Sequence, residues 1–110
     1  MEIYWKDCRA YRDVRLADSF WGRFRGLMGQ KQLDTEEGLL LRNCSSIHCF
    51  FMRFPIDTVY LDDAYRVVGL ETVAPWRVGH LFRGAKHTLE VTAGSAPFSV
   101  GDELRIIPDP

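Results

Sequence analysis

The side chains best equipped for chemistry lie between Cys44 and Asp62, in the stretch CSSIHCFFMRFPIDTVYLD. Thiols at Cys44 and Cys49, an imidazole at His48, a guanidinium at Arg53 and a carboxylate at Asp57 are set there among Phe50, Phe51, Met52 and Phe54. One reading is anion recognition. His48 and Arg53, joined by Arg25 from upstream, would offer donors to an anionic or carboxylate ligand, Asp57 would orient one of them, and Phe50, Met52 and Trp76 would wall an apolar pocket. The same residues also suit an internal Arg53–Asp57 salt bridge in an ordinary core. A second reading is metal binding. Cys44, His48 and Cys49 have suitable ligand types and a Cys-x3-His spacing, although a closed zinc site takes about four ligands and this set is one short. A third is catalysis with His48 as general acid or base, since an imidazole titrates near neutrality. His48 and Cys49 are neighbours, and neighbours on an extended chain point to opposite sides, so they do not form a nucleophile–base pair. The chain has no G-x-S-x-G elbow, phosphate-cradling glycine loop or H-E-x-x-H helix. No catalytic residue, metal or cofactor is therefore assigned.

Several elements must position these groups. Pro55 fixes its own φ and disfavours helix at Phe54, which makes an extended lead-in to a strand over Ile56 to Leu61. Asp57, Val59 and Leu61 share one face of that strand and Ile56, Thr58 and Tyr60 the other. Both faces are largely apolar, as in a strand covered on both sides. A carboxylate there needs a cationic or hydrogen-bonding partner, for which Arg53, Arg25 and His48 are candidates. Asp18 and Ser19 offer N-caps for a helix to about Met28, with Phe20, Phe24, Leu27 and Met28 as its apolar stripe, Arg25 beside that stripe and Gly29 as its stop.

Alternation predicts a first strand over Glu2 to Lys6, and Tyr11 to Leu16 as its hairpin partner with Cys8 between them. Leu39 to Leu41 reads as an interior strand, Asp62 to Tyr65 as a hairpin turn and Arg66 to Ala74 as the return strand. Trp76 to Ala85 is a long surface loop, where Trp76 beside Arg77 suits a docking or lid element and His80 is expected to be solvated. In His87 to Ala93, Leu89, Val91 and Ala93 face inward and Glu90 and Thr92 the opposite way, with His87 expected in solvent. Asp102 to Ile107 is the last strand. The expected class is α+β, mainly β: a single domain over residues 1–110, with a curled or half-closed sheet of about seven short strands and one main helix packed on it.

With 110 residues, 46% of them hydrophobic, the chain can bury the core of one domain. Its 14 basic and 15 acidic side chains leave a net charge of -1, without the basic stripe that nucleic acid requires. No apolar run reaches the roughly 18 residues of a membrane span, so neither nucleic acid nor membrane is expected as a partner. A small molecule or another protein is. The opening MEIYWKD lacks a signal-peptide layout and three cysteines are an odd count, which together predict a cytoplasmic protein with reduced thiols.

Arg25-Gly26-Leu27-Met28, the run from Ile47 to Asp57, Val59-Tyr60-Leu61-Asp62, Pro75-Trp76-Arg77, Gly84-Ala85, Leu89-Glu90-Val91, Ala93-Gly94 and Gly101-Asp102 occur in the order found in one prokaryotic family. The chain resembles the domain of unknown function numbered 192, in its short, signal-free branch, whose central motif reads H-[TS]-F-x-M-R-F-P-I-D. Cys49 replaces the usual threonine or serine of that motif, and Phe51 stands where glycine is frequent. The resemblance implies a compact, mainly β fold with a helix, and no established activity, substrate or cofactor.

Overall fold

Lys6 and Asp7 both have positive φ, 49° and 64°, which is the backbone of a two-residue hairpin turn. They fold β1 (Glu2–Trp5) back onto β2 (Cys8–Tyr11). The computed structural model describes residues 1–17, 34–44 and 54–110. The expected partner of the first strand is thus corrected: Cys8 lies within the return strand, in register with Trp5. Past a bend at Arg12 the chain enters the other sheet, as β3 (Asp13–Ala17). The tight turn brings the return strand in directly after Asp7, so the predicted segment from Tyr11 to Leu16 is divided between two sheets.

β3 runs parallel to β4 (Glu37–Leu41), with Val14 opposite Gly38 and Leu16 opposite Leu40. β5 (Ile56–Leu61) and β6 (Val67–Val73) form an antiparallel hairpin, and β7 (His87–Thr92) inserts antiparallel between β4 and β5. The resulting sheet has five strands in the order β3-β4-β7-β5-β6, while β8 (Arg105–Ile107) joins β1 in a three-stranded sheet ordered β2-β1-β8. At the hairpin end, the Asp62 carboxylate accepts the N–H groups of Ala64 at 2.9 Å and Arg66 at 2.8 Å, and Tyr65 takes φ 61°.

These findings overturn the α+β expectation. The described residues are all-β, with no helix, and form two sheets in place of one curled sheet under a main helix. The helix expected from Asp18 to Met28 lies outside the described residues. Among the described residues no helix is long and apolar enough to cross a membrane.

Alternation along the strands loads both faces of the five-stranded sheet. Val14, Leu40, Val59, Leu61, Leu89 and Val91 pack with Ile3, Tyr11, Phe98 and Leu104 into one core. On the opposite face Ala17, Leu39, Leu41, Ile56, Tyr60 and Val73 form a second, joined by Phe54 and Phe82. Every residue of β5 is buried, as expected for a strand covered on both sides. Polar side chains on either face therefore need partners within the protein.

Candidate functional site

Asp57 lies on the face shared with the first core, opposite Thr72 in β6 and Val91 in β7. Its Oδ1 accepts the Thr72 hydroxyl at 2.7 Å, and its Oδ2 accepts the backbone N–H groups of Gly94 at 2.9 Å and Ala96 at 3.2 Å. The buried carboxylate thus ties the β5–β6 hairpin to the segment after β7. Gly94 turns that segment with φ 81°, and the Ser95 and Tyr11 hydroxyls hydrogen-bond at 3.1 Å beside it. Hydrogen bonding meets the need for a partner among the described residues.

The other face carries a second polar group, around Glu71. The β5–β6 register places Gly69 opposite Tyr60 and Glu71 opposite Thr58. Glu71 Oε2 accepts the Tyr60 hydroxyl at 2.8 Å and the His80 backbone N–H at 2.7 Å, while Oε1 lies 2.6 Å from His80 Nδ1. Burial alone would raise this carboxyl, but His80 and the Tyr60 hydroxyl outweigh it and hold the group below its ordinary range. His80 itself is 83% exposed. A carboxylate on Nδ1 fixes the ring's orientation and leaves Nε2 facing outward.

Phe82 provides the apolar counterpart of that contact. Its ring lies 4.6 Å from that of Tyr60, over Gly69, where a β-carbon would come within 2.2 Å of it. Gly69 is therefore the socket for Phe82. Together His80 and Phe82 fasten the segment from Ala74 to Lys86 to the sheet. Trp76 and Val78 ahead of these fastenings and Leu81 between them are 58%, 61% and 79% exposed. Trp76 adopts φ 66°, in the left-handed region that bulky residues seldom occupy. Arg77, Arg83 and Lys86 are exposed too, and no Asp or Glu occurs from Ala74 to Lys86.

Two further titratable groups lie on β7. Glu90 is only 5% exposed, in register with Leu39 on one side and Thr58 on the other. No hydrogen bond reaches its carboxyl among the described residues, and burial pushes the acid up to about 8. His87, expected in solvent, is buried instead and stacks on Tyr65 at 5.0 Å. Its Nδ1 accepts the Asn43 N–H at 3.0 Å, which puts the proton of the neutral ring on Nε2. Burial, followed by the charges of Arg42 and Lys86, lowers its pKa.

The DUF192 family model, described as Uncharacterized ACR, matches residues 5–106. The chain belongs to the DUF192 family. A UPF0127 protein of Pyrococcus horikoshii is 44% identical over 99 residues, covering 84% of this chain and 86% of its own. A UPF0127 protein of Thermococcus sibiricus is 37% identical over 98 residues, covering 83% of this chain, which spans only 64% of that longer relative. A solved structure of a protein of unknown function from Novosphingobium aromaticivorans is similar with a TM-score of 0.82 at 19% identity, over 96% of this chain and 82% of that one. At that identity the likeness is one of fold. These DUF192 comparisons agree with the family resemblance read from the sequence.

Of the residues predicted for the ligand site, Asp57 and Trp76 are described. Asp57 lies inside the sheet and Trp76 in the loop past β6. Arg25, His48, Phe50, Met52 and Arg53 lie outside the described residues. Among the proposed metal ligands, Cys44 is half-buried and its carbonyl accepts the Thr88 hydroxyl at 2.8 Å, whereas His48 and Cys49 are also outside. No group of three or more His, Cys, Asp and Glu side chains is arranged to hold a metal among the described residues. Sequence reasoning missed Glu71, Tyr60 and Glu90 as a polar set. The turn at Asp62 to Tyr65 did not contain the signal: carried on from Leu61 opposite Val67, its register would set Glu71 opposite Asp57, and the irregularity between Tyr60 and Leu61 shifts Glu71 to Thr58, on the Tyr60 face.

Proposed function

We propose that this DUF192 domain is a binding module for an anionic partner and that the loop from Ala74 to Lys86 is its contact surface. The observation that carries this reading is the loop's composition and display: exposed Trp76, Val78 and Leu81 stand among exposed Arg77, Arg83 and Lys86 with no acidic residue between. Exposed apolar groups concentrated in one place mark interaction surfaces. Tryptophan and arginine are the side chains that most frequently anchor such contacts. The fastenings through Glu71–His80 and Phe82–Gly69 support the same reading, because a preorganised loop loses less entropy on binding. On residue type alone, Arg25, His48 and Arg53 enter the proposal as donors to a carboxylate, Asp57 as the group that orients one of them, and Phe50 and Met52 as apolar walls.

Amide NMR of the labelled protein, titrated with a small dicarboxylate and then with poly-L-glutamate, tests the reading. Saturable shifts centred on residues 76–86 are expected with the polyanion. An unmoved spectrum with both would sink the proposal. Shifts at His48, Arg53 and Asp57 with the dicarboxylate would make the segment from Cys44 to Asp62 the binding surface instead.

A further inference from the structure

Resting on that reading, we infer that the anionic partner is a lipid surface, which the loop enters with Trp76, Val78 and Leu81 while Arg77, Arg83 and Lys86 contact the headgroups. The display fits this partner in shape. A small ligand calls for a concave site. Hollows do occur among the described residues. One of about 360 Å³ lies between the β1–β2 turn and β8, and one of about 230 Å³ lies beside Asp57 and Phe98. Neither is lined by any residue of the loop. A bilayer surface, by contrast, takes up protruding apolar side chains directly.

The residue types fit as well. Tryptophan is enriched at the membrane–water interface, where its ring is apolar and its N–H stays wet. Aliphatic neighbours add buried area, and basic residues near an anionic leaflet add electrostatic attraction. The chain as a whole carries a net charge of -1. Attraction is therefore local to this loop and not a property of the whole molecule. The expectation of no membrane partner rested on the lack of a spanning apolar run, a criterion that does not address contact at a membrane surface.

Geometry keeps the loop ready for such contact. Leu81 and Phe82 are adjacent yet turned opposite ways, Leu81 79% exposed and Phe82 seated against Tyr60 and Gly69. The His80 backbone N–H and ring are both held by Glu71. Collapse of Leu81 onto the sheet would require releasing Phe82 or His80. The fold thus holds the apolar tip in water, where it stands ready for an interface.

Co-sedimentation with vesicles tests the inference, comparing pure phosphatidylcholine with phosphatidylcholine mixed with phosphatidylglycerol. The protein should bind the mixed vesicles, release from them at high salt, and bind the neutral ones weakly. Replacing Arg77 and Arg83 by Gln should weaken binding by about fivefold per cation, on the order of twenty-fivefold for both. Trp76→Gly and Leu81→Ser should weaken it, Leu81→Ser with unchanged melting, and the glycine suits the left-handed backbone at position 76. Equal binding to neutral vesicles, or binding indifferent to these variants, would overturn the inference. No vesicle binding but retained binding of poly-L-glutamate would overturn the lipid partner and leave an acidic protein as the anion. Loss of both would overturn the underlying anion reading too.

Discussion

Glu71 grips His80 twice, with Oε1 2.6 Å from the ring Nδ1 and Oε2 accepting the backbone N–H at 2.7 Å. A strand of the five-stranded sheet thereby holds a loop residue by both its side chain and its main chain. Glu71→Gln keeps the shape of the side chain but loses the charge that strengthens both contacts. Hydrogen exchange at the His80 amide should accelerate in this variant, and stability should fall by about 1 kcal/mol because Glu71 lies near the surface. Unchanged protection of residues 76–85 would show that the grip does not organise the loop.

Gly69 offers a steric test of the second fastening. A β-carbon there meets the Phe82 ring at 2.2 Å, so Gly69→Ala must displace the ring and the loop attached to it. The expected loss is about 1–3 kcal/mol, as for other overpacked cores. Adding Phe82→Ala should cost less in the Gly69→Ala background than in the native one, as a thermal-denaturation double-mutant cycle would show. Strict additivity would mean that the ring is not seated over Gly69.

Asp57 tests the first core face. Its two oxygens accept one hydroxyl and two main-chain N–H groups, so an amide in its place must turn its NH₂ to the Thr72 hydroxyl and loses the charge that strengthens all three contacts. Asp57→Asn should lower stability by about 2 kcal/mol or more. Thr72→Val removes one neutral donor and should cost about 1 kcal/mol. Urea titrations distinguish the two. If Asp57→Asn melted like the native protein, the carboxylate would not be what ties the Gly94 turn to the hairpin.

Glu90 predicts a dependence on pH. Burial raises its carboxyl from an ordinary 4.5 to about 8. Between those values the folded state keeps a proton that the unfolded state has lost, so stability should decline as pH rises through this window and level off above it. The size of the decline is on the order of a few kcal/mol. His87 acts in the opposite sense. Its lowered pKa makes the folded ring resist protonation, so its contribution is complete above the ordinary 6.5 and is lost on acidification. In Glu90→Gln the alkaline decline should vanish while the acid loss remains. A variant that still declined between about pH 5 and pH 8 would place the titration elsewhere.

Much of this architecture was legible where short-range rules act. Pro55 and the alternating pattern located β5 from Ile56 to Leu61, and burial on both its faces agrees with the apolar reading of each. The turn at Asp62 to Tyr65 was readable from its aspartates, whose preference for turns is a local property. Division of the first hairpin was not. It depends on Lys6 and Asp7 accepting positive φ without a glycine, which residue type alone does not announce. Glu90 was placed opposite the inward face, which would be the solvent side only if β7 lay on a one-sided sheet. Because β7 is instead the central strand of a sheet packed on both faces, the acid is buried. His80 was read as merely solvated, since its partner Glu71 is brought to it by loop closure and not by sequence spacing.

Strand order also bears on how the chain reaches this state. β7 inserts between β4 and β5, and β1 finds its second partner only in β8, with Glu2 opposite Ile107. Neither sheet can zip up in the order of synthesis. On a ribosome, β1 would wait with an open edge until roughly a hundred further residues had emerged and β4 until about fifty had, the circumstance in which nascent β proteins are most exposed to mispairing. Refolding should accordingly be slow for a chain of this size, with insertion of β7 completing the five-stranded sheet and the return of β8 to β1 completing the other.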